Sequence, residues 1–108
     1  MAGADDVLVC LSTASSEDEA AKIARALVEE SLAACVNLVP RVRSIYRWKG
    51  KIEDGPETLM VIKTVRRRVD ALRDRLKSLH SYTVPELLAL EVGGGSADYL
   101  AWVLESTR

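Results

Sequence analysis

Ala34-Cys35-Val36-Asn37-Leu38-Val39-Pro40-Arg41-Val42-Arg43-Ser44-Ile45-Tyr46-Arg47-Trp48-Lys49-Gly50-Lys51-Ile52 reads as a long strand, a tight turn and the start of a return strand. Val36, Leu38, Val42, Tyr46 and Trp48 share one parity; Cys35, Asn37, Val39, Arg41, Arg43, Ile45 and Arg47 share the other, which is the two-residue period of a sheet. Five or six residues is usual for a strand, so residues 34–48 make a long one. Pro40 has no ladder donor and belongs on an edge or at a bulge. Lys49-Gly50 supplies the turn and Lys51-Ile52-Glu53 begins the return. Asp54-Gly55-Pro56 is expected to interrupt it before Thr58 to Thr64 resumes.

Working outward, Val7 to Leu11 is a short apolar run of mixed parity, suited to a central strand. Ser16 and Glu19 have capping-box spacing, with Glu17, Asp18 and Glu19 placing negative charge in a first helical turn. Ala20, Ile23, Ala24, Leu27 and Val28 then repeat helically, so a helix is expected from about Glu17 to Ser31. On the other side, Val65, Val69, Leu72, Leu76 and Leu79 form the narrow apolar stripe of a second helix. The Arg66-Arg67-Arg68 run is expected on its solvated face, offset by Asp70 and Asp74. Glu86 to Val92 reads as a fourth strand, and Gly93-Gly94-Gly95 as a break. Ser96 caps a last helix from Ala97 to Glu105 with Leu100, Val103 and Leu104 on its apolar face.

The order is therefore α+β, a ferredoxin-like βαββαβ sandwich with a long hairpin between the second and third strands and an extra C-terminal helix. Right-handed crossovers give an antiparallel sheet in the order 4-1-3-2. Cys10 and Cys35 then lie two strand spacings apart, roughly 9.5 Å, beyond the roughly 7 Å that a disulfide tolerates. The second strand is a rim strand and the longest. Its tip exposes Tyr46, Trp48 and Ile52, an aggregation hazard unless something covers it. The cover is either the C-terminal helix or further copies of the same chain joined edge to edge in a closed ring.

The 108 residues make a single domain, 1–108, with 48% hydrophobic and 29% charged residues. That balance excludes a disordered tail or a fibrous repeat. No run approaches the roughly 20 apolar residues of a membrane span. Met1 to Asp6 has no basic leader region, so a cytoplasmic protein without membrane partners is expected. The net charge of −1 argues against nucleic acid as a partner. Two cysteines without CxxC spacing suit reduced thiols.

Four ordered stretches, Ala34-Cys35-Val36-Asn37, Ser44-Ile45-Tyr46-Arg47-Trp48-Lys49-Gly50-Lys51, Lys63-Thr64 and His80-Ser81-Tyr82-Thr83-Val84-Pro85-Glu86, resemble the CutA divalent-cation-tolerance family, and the likeness continues through Tyr99-Leu100-Ala101-Trp102. The resemblance implies a homotrimer with the architecture of the PII signalling proteins, and the exposed edge places Tyr46, Trp48 and Ile52 at its interface. The resemblance also implies a role in tolerance to divalent cations, copper especially. Two departures stand out. Ser81 replaces the proline that usually follows the histidine, and Ser12 and Arg75 stand where some proposed metal sites use cysteine.

Cys35 and His80 are the soft or borderline donors that the resemblance nominates for a metal, with Glu86 as an added oxygen; a thiolate and an imidazole favour copper or zinc. No cofactor is required, and Cu2+ or another divalent cation would be held weakly. Equally, Cys35 is a small hydrophobe at a strand start, and His80 a helix C-terminal residue favoured by the dipole. The alternative function is a PII-like small-molecule sensor. It would hold an anionic ligand between subunits on Arg47, Trp48, Lys63, Tyr82 and Glu86, supported by Arg41, Arg43, Lys49, Lys51 and Tyr46. No enzyme is expected, because there is neither a nucleophile elbow nor a phosphate loop.

Overall fold

The computed structural model describes residues 3–108; Met1 and Ala2, part of the opening read above for a leader, lie outside the described residues. The elements are β1 (Val7–Ala14), α1 (Glu17–Glu29), β2 (Cys35–Trp48), β3 (Lys51–Val65), a 3-10 turn (Arg66–Arg68), α2 (Val69–Leu79), β4 (Leu88–Glu91) and α3 (Ala97–Ser106). The sheet runs β2-β3-β1-β4 with every pair antiparallel, which is the expected order. Among the described residues no helix is long and apolar enough to cross a membrane.

Alternation along β1 divides the sheet into two faces. Leu8, Cys10, Ser12 and Ala14 are buried, and the residues between them are half-buried. The buried face continues on β3 through Thr58, Met60, Ile62 and Thr64, and α1 and α2 close over it with Ile23, Leu27, Leu72 and Leu76. Cys10 sits in this core, where burial pushes its thiol up to about 11, so it is an inert hydrophobe. Both cysteines are free thiols. α3 packs at the end of the sheet, Val103 against Val65 and Ala34, and leaves the ribbon tip uncovered. The second face carries Val9, Leu11, Val39, Leu59, Val61, Leu88 and Leu90 in register. Val39, Leu88 and Leu90 there are 43–54% exposed.

Several boundaries differ from the sequence reading, each for a local reason. α1 stops at Glu29 because Ser31 turns left-handed (φ 59°), and Leu32 N–H then reaches back to the Leu27 carbonyl at 2.9 Å. Val65 ends β3 and does not begin the second helix, since Arg66 and Arg67 donate backbone hydrogen bonds to the carbonyls of Asp6 and Ala4. Asp70 and Asp74 pair with Arg73 and leave the arginine run alone. Instead, Arg67 pairs with Asp5, Arg66 stands 3.6 Å from Asp6 and from Glu91, and Arg67 and Arg68 donate to the Thr107 carbonyl. The run therefore ties both chain ends to the body. β4 is short because the chain meets β1 only from Leu88, opposite Leu11.

The hairpin holds the main correction. β3 is continuous and, with 15 residues against 14 in β2, is the longer arm. Asp54-Gly55-Pro56 does not interrupt it, because that stretch lies beyond the end of β1 and pairs with β2 alone. There the chain is a two-stranded ribbon with an open edge, where proline is tolerated. Lys49 and Gly50 close the tip with φ of 50° and 79°, the paired left-handed geometry that a two-residue hairpin turn needs and glycine adopts freely. Pro40, expected on an edge or at a bulge, has both: β2 is an edge strand, and a bulge is present with Arg41 at φ 60° and the register shifting between Val39 and Val42. The bulge also reverses the faces. Tyr46 and Trp48 do not share a face with Val36 and Leu38; they share the open face with Val39, Glu57 and Leu59.

Candidate functional site

The bulge puts an aromatic wall on the open side of the ribbon, and the segment between α2 and β4 forms the wall opposite. Between them lies a cleft of about 660 Å³ lined by Thr13, Tyr46, Trp48, Glu57, Tyr82 and Glu86, with Ser44, Ile45, Ser81, Thr83 and Val84 completing its rim.

Residues 80–86 hold their shape through five tethers. His80 donates from Nε2 to the Thr13 carbonyl at 2.7 Å, and its Nδ1 accepts from Tyr82 N–H at 3.0 Å. That pair of bonds fixes the tautomer, with the proton on Nε2. Ser81 N–H donates to Glu19 Oε2 at 2.8 Å, Tyr82 Oη to Glu57 Oε2 at 2.6 Å, and Ser12 Oγ to the Glu86 carbonyl at 2.7 Å. Tyr82 has its phenol raised well above the ordinary range, first by burial and then by the Glu57 bond.

Glu19 is more than a helix cap. Ser16 Oγ accepts from Glu19 N–H as the capping spacing predicts, but the Glu19 carboxylate turns to Ser15 and to Ser81. Partial burial pushes this carboxyl up, and the bonds from Ser81 and Ser15 together outweigh it and hold it at about 2. A depressed folded value means that the tether's stability is complete above the ordinary value of 4.5 and fades as pH falls toward 2. Glu19→Gln is therefore expected to lower the melting temperature at neutral pH, with the gap to wild type closing as pH approaches 2. Thermal unfolding across that range checks it; a gap that does not change with pH would rule the linkage out.

The nominated metal donors do not meet within one chain. His80 has both ring nitrogens engaged. Cys35 pairs across to Lys63, four residues along β3 from Leu59, the partner of Thr13; the two sites are therefore separated by roughly 13 Å along the strands, with further distance across them. Cys35 is half-buried on the open face, with Sγ 3.9 Å from Asn37 Oδ1, and Lys63 Nζ donates to that same oxygen. Glu86 belongs to the cleft. Among the described residues no group of three His, Cys, Asp or Glu side chains is placed to hold a metal ion.

The proposed anion cleft divides in a similar way. Trp48, Tyr82 and Glu86 line the cleft, whereas Arg47 and Lys63 do not, and no lysine or arginine is among its lining residues. Arg43 forms a two-bond pair with Asp54 at 2.9 and 2.7 Å, and Lys49 Nζ stands 5.9 Å from the Trp48 ring. Tyr46, Trp48 and Ile52, nominated for an interface, are 45%, 40% and 61% exposed. Glu57, Glu19 and Thr13 were missed. Only the strand register brings Glu57 and Thr13 to the cleft, and Glu19 was absorbed by its capping role.

The family model described as "CutA1 divalent ion tolerance protein" matches residues 8–106. The Divalent-cation tolerance protein CutA of Thermus thermophilus is 50% identical over 99 residues, covering 92% of this chain and 96% of that protein. Human Protein CutA is 53% identical over 96 residues, 89% of this chain, which spans only 54% of the human protein. Among solved structures, the divalent cation tolerance protein from Thermus thermophilus superposes with a TM-score of 0.91 at 48% identity, covering 94% of this chain and 99% of that one. CutA1 from Oryza sativa gives 0.92 at 40% identity, covering 95% and 94%. By family match, identity over nearly its whole length and shared architecture, this chain belongs to the CutA1 divalent ion tolerance protein family.

Proposed function

We propose that this chain serves divalent-cation tolerance as a CutA-type homotrimer of ferredoxin-like subunits, meeting copper weakly and without catalysis. The observation that carries the assembly is the apolar sheet face. Val39, Leu88 and Leu90 remain exposed beside Val61 and Leu11, on strands whose other face is already packed. A contiguous apolar face bordered by an open ribbon edge calls for a partner, and a second and third copy supply matching faces. Two free thiols suit a reducing compartment such as the cytoplasm.

Weak binding follows from the donors. The Cys35 thiol beside the Asn37 amide oxygen is a two-donor start on the open sheet face, and the Lys63 ammonium bonded to that amide opposes a cation. The Cys35 thiol and His80 imidazole also stand too far apart to act as nucleophile and base. Copper titration of wild type, Cys35→Ala and His80→Ala tests the reading. Wild type is expected to bind at micromolar strength or weaker, Cys35→Ala to lose most of that binding, and His80→Ala to keep it. A nanomolar site, or one that His80→Ala removes and Cys35→Ala spares, would overturn it.

A further inference from the structure

We propose that the pocket enclosed by the start of β1, the end of β4 and α3 binds a small aliphatic amino acid as its zwitterion. Its volume of about 440 Å³ is that of a small-molecule site. The pocket lies apart from the surfaces assigned to neighbouring copies. Val7, on its wall, opens β1 opposite Val65, roughly 24 Å along the strand from Ala14 and Thr58, where the ribbon leaves the sheet. Glu91 pairs with Leu8 and so stands on the helix-covered face, opposite to Leu88 and Leu90. The chain's own α3 closes the remaining side.

Arg66 is the unfinished group. Its neighbours Arg67 and Arg68 both donate to the Thr107 carbonyl, and Arg67 pairs with Asp5. Arg66 Nη2 stands 3.6 Å from Asp6 Oδ2 and 3.6 Å from Glu91 Oε1, beyond the roughly 2.7–2.9 Å of a charged hydrogen bond. Its Nε is buried and has no acceptor among the described residues. A guanidinium held between two carboxylates and bonded to neither keeps its donors for an incoming carboxylate, which its fork takes with two parallel bonds. Asp6 and Glu91 then serve an ammonium group. Glu91 is exposed, and Asp6 accepts one bond among the described residues, from Gly3 N–H. A simple anion meets these two carboxylates beside the arginine, and a simple amine meets the arginine beside the carboxylates. A zwitterion matches both signs. Val92, Leu100, Ala101 and Leu104 supply the apolar floor for its side chain.

This ligand is distinct from the copper of the proposed function, and the pocket uses none of the Cys35 neighbourhood. Calorimetry on the intact protein near neutral pH tests it with leucine as probe. Isocaproate, which is leucine without its amino group, and isoamylamine, which is leucine without its carboxylate, are the controls. Leucine is expected to bind saturably, and each control at least tenfold more weakly. Arg66→Gln and Glu91→Gln should each weaken leucine binding at least tenfold. A second reading uses the wild-type protein and does not depend on the folding of those variants. Gly94 lines the pocket, and a Cβ added there meets nothing within 4 Å, so Gly94→Ala assigns its amide resonance. That resonance should shift when leucine is added to wild type. No heat or no shift at millimolar leucine, a control that binds as tightly as leucine, or unchanged affinity in either glutamine variant would overturn the proposal. Copper binding with a silent leucine titration removes this inference alone; leucine binding without copper removes only the other.

Discussion

Val61→Asp is expected to turn the proposed trimer into folded monomers. Val61 lies at the centre of the open sheet face, between Leu11 on β1 and Asn37 on β2, and is only half-buried within its own chain. In a lone chain an aspartate there keeps access to water. Pressed against the apolar face of another copy, the carboxylate must be stripped of water with no cation waiting, which costs several kcal/mol per copy. Association should weaken by at least about a hundredfold, given about 1.4 kcal/mol per tenfold. Sedimentation together with circular dichroism reads both halves of the result. An unchanged mass would mean that this face is not where copies meet, and a loss of helical signal would mean that Val61 serves the fold itself.

Leu72→Ala should act in the opposite way, weakening the fold while sparing the surface. Leu72 is fully buried on α2 beneath α1, in the cluster with Ile23, Leu27, Met60 and Leu76. Removing its branched end leaves a cavity that rigid neighbours only partly refill, a cost of about 2–5 kcal/mol. For a domain of this size that corresponds to a fall in melting temperature of roughly 10–30 °C. Compared at equal protein concentration, so that mass action from assembly is held constant, a loss under about 1 kcal/mol would contradict the packing described for this core.

Together the two substitutions separate what was legible in the sequence from what was not. Helical spacing of Ile23, Leu27, Leu72 and Leu76 marked the core face, and right-handed crossover marked the sheet order, because both follow from local period and chirality. Pro40 announced an edge or a bulge as well. What that bulge does to parity depends on register: two residues of β2, Pro40 and Arg41, stand opposite Thr58 alone, so every side chain beyond them changes face. Tyr46 and Trp48 thus left the Val36 face for that of Glu57. The sequence grouped Trp48, Tyr82 and Glu86 of the cleft but hid the rest for the same reason, since Glu57 and Thr13 carry no motif and meet Tyr82 and Glu86 only through strand pairing. His80 shows the converse. Its identity suggested a ligand, but Thr13 and Tyr82 use both nitrogens, and the ring positions the cleft wall.

The open sheet face also decides how the exposed ribbon survives in water. Tyr46, Trp48, Ile45 and Ile52 are all at least 40% exposed on two strands that pair only with each other beyond Thr58. In the proposed trimer a covering copy would shield both the ribbon edge and the sheet face, whereas the chain's own α3 is committed to Val65 and Ala34. Equilibrium sedimentation of the wild-type protein at micromolar concentration is the most direct test. A particle of three times the 11.8 kDa chain mass is expected; a stable, well-behaved particle of 11.8 kDa would contradict the proposed assembly.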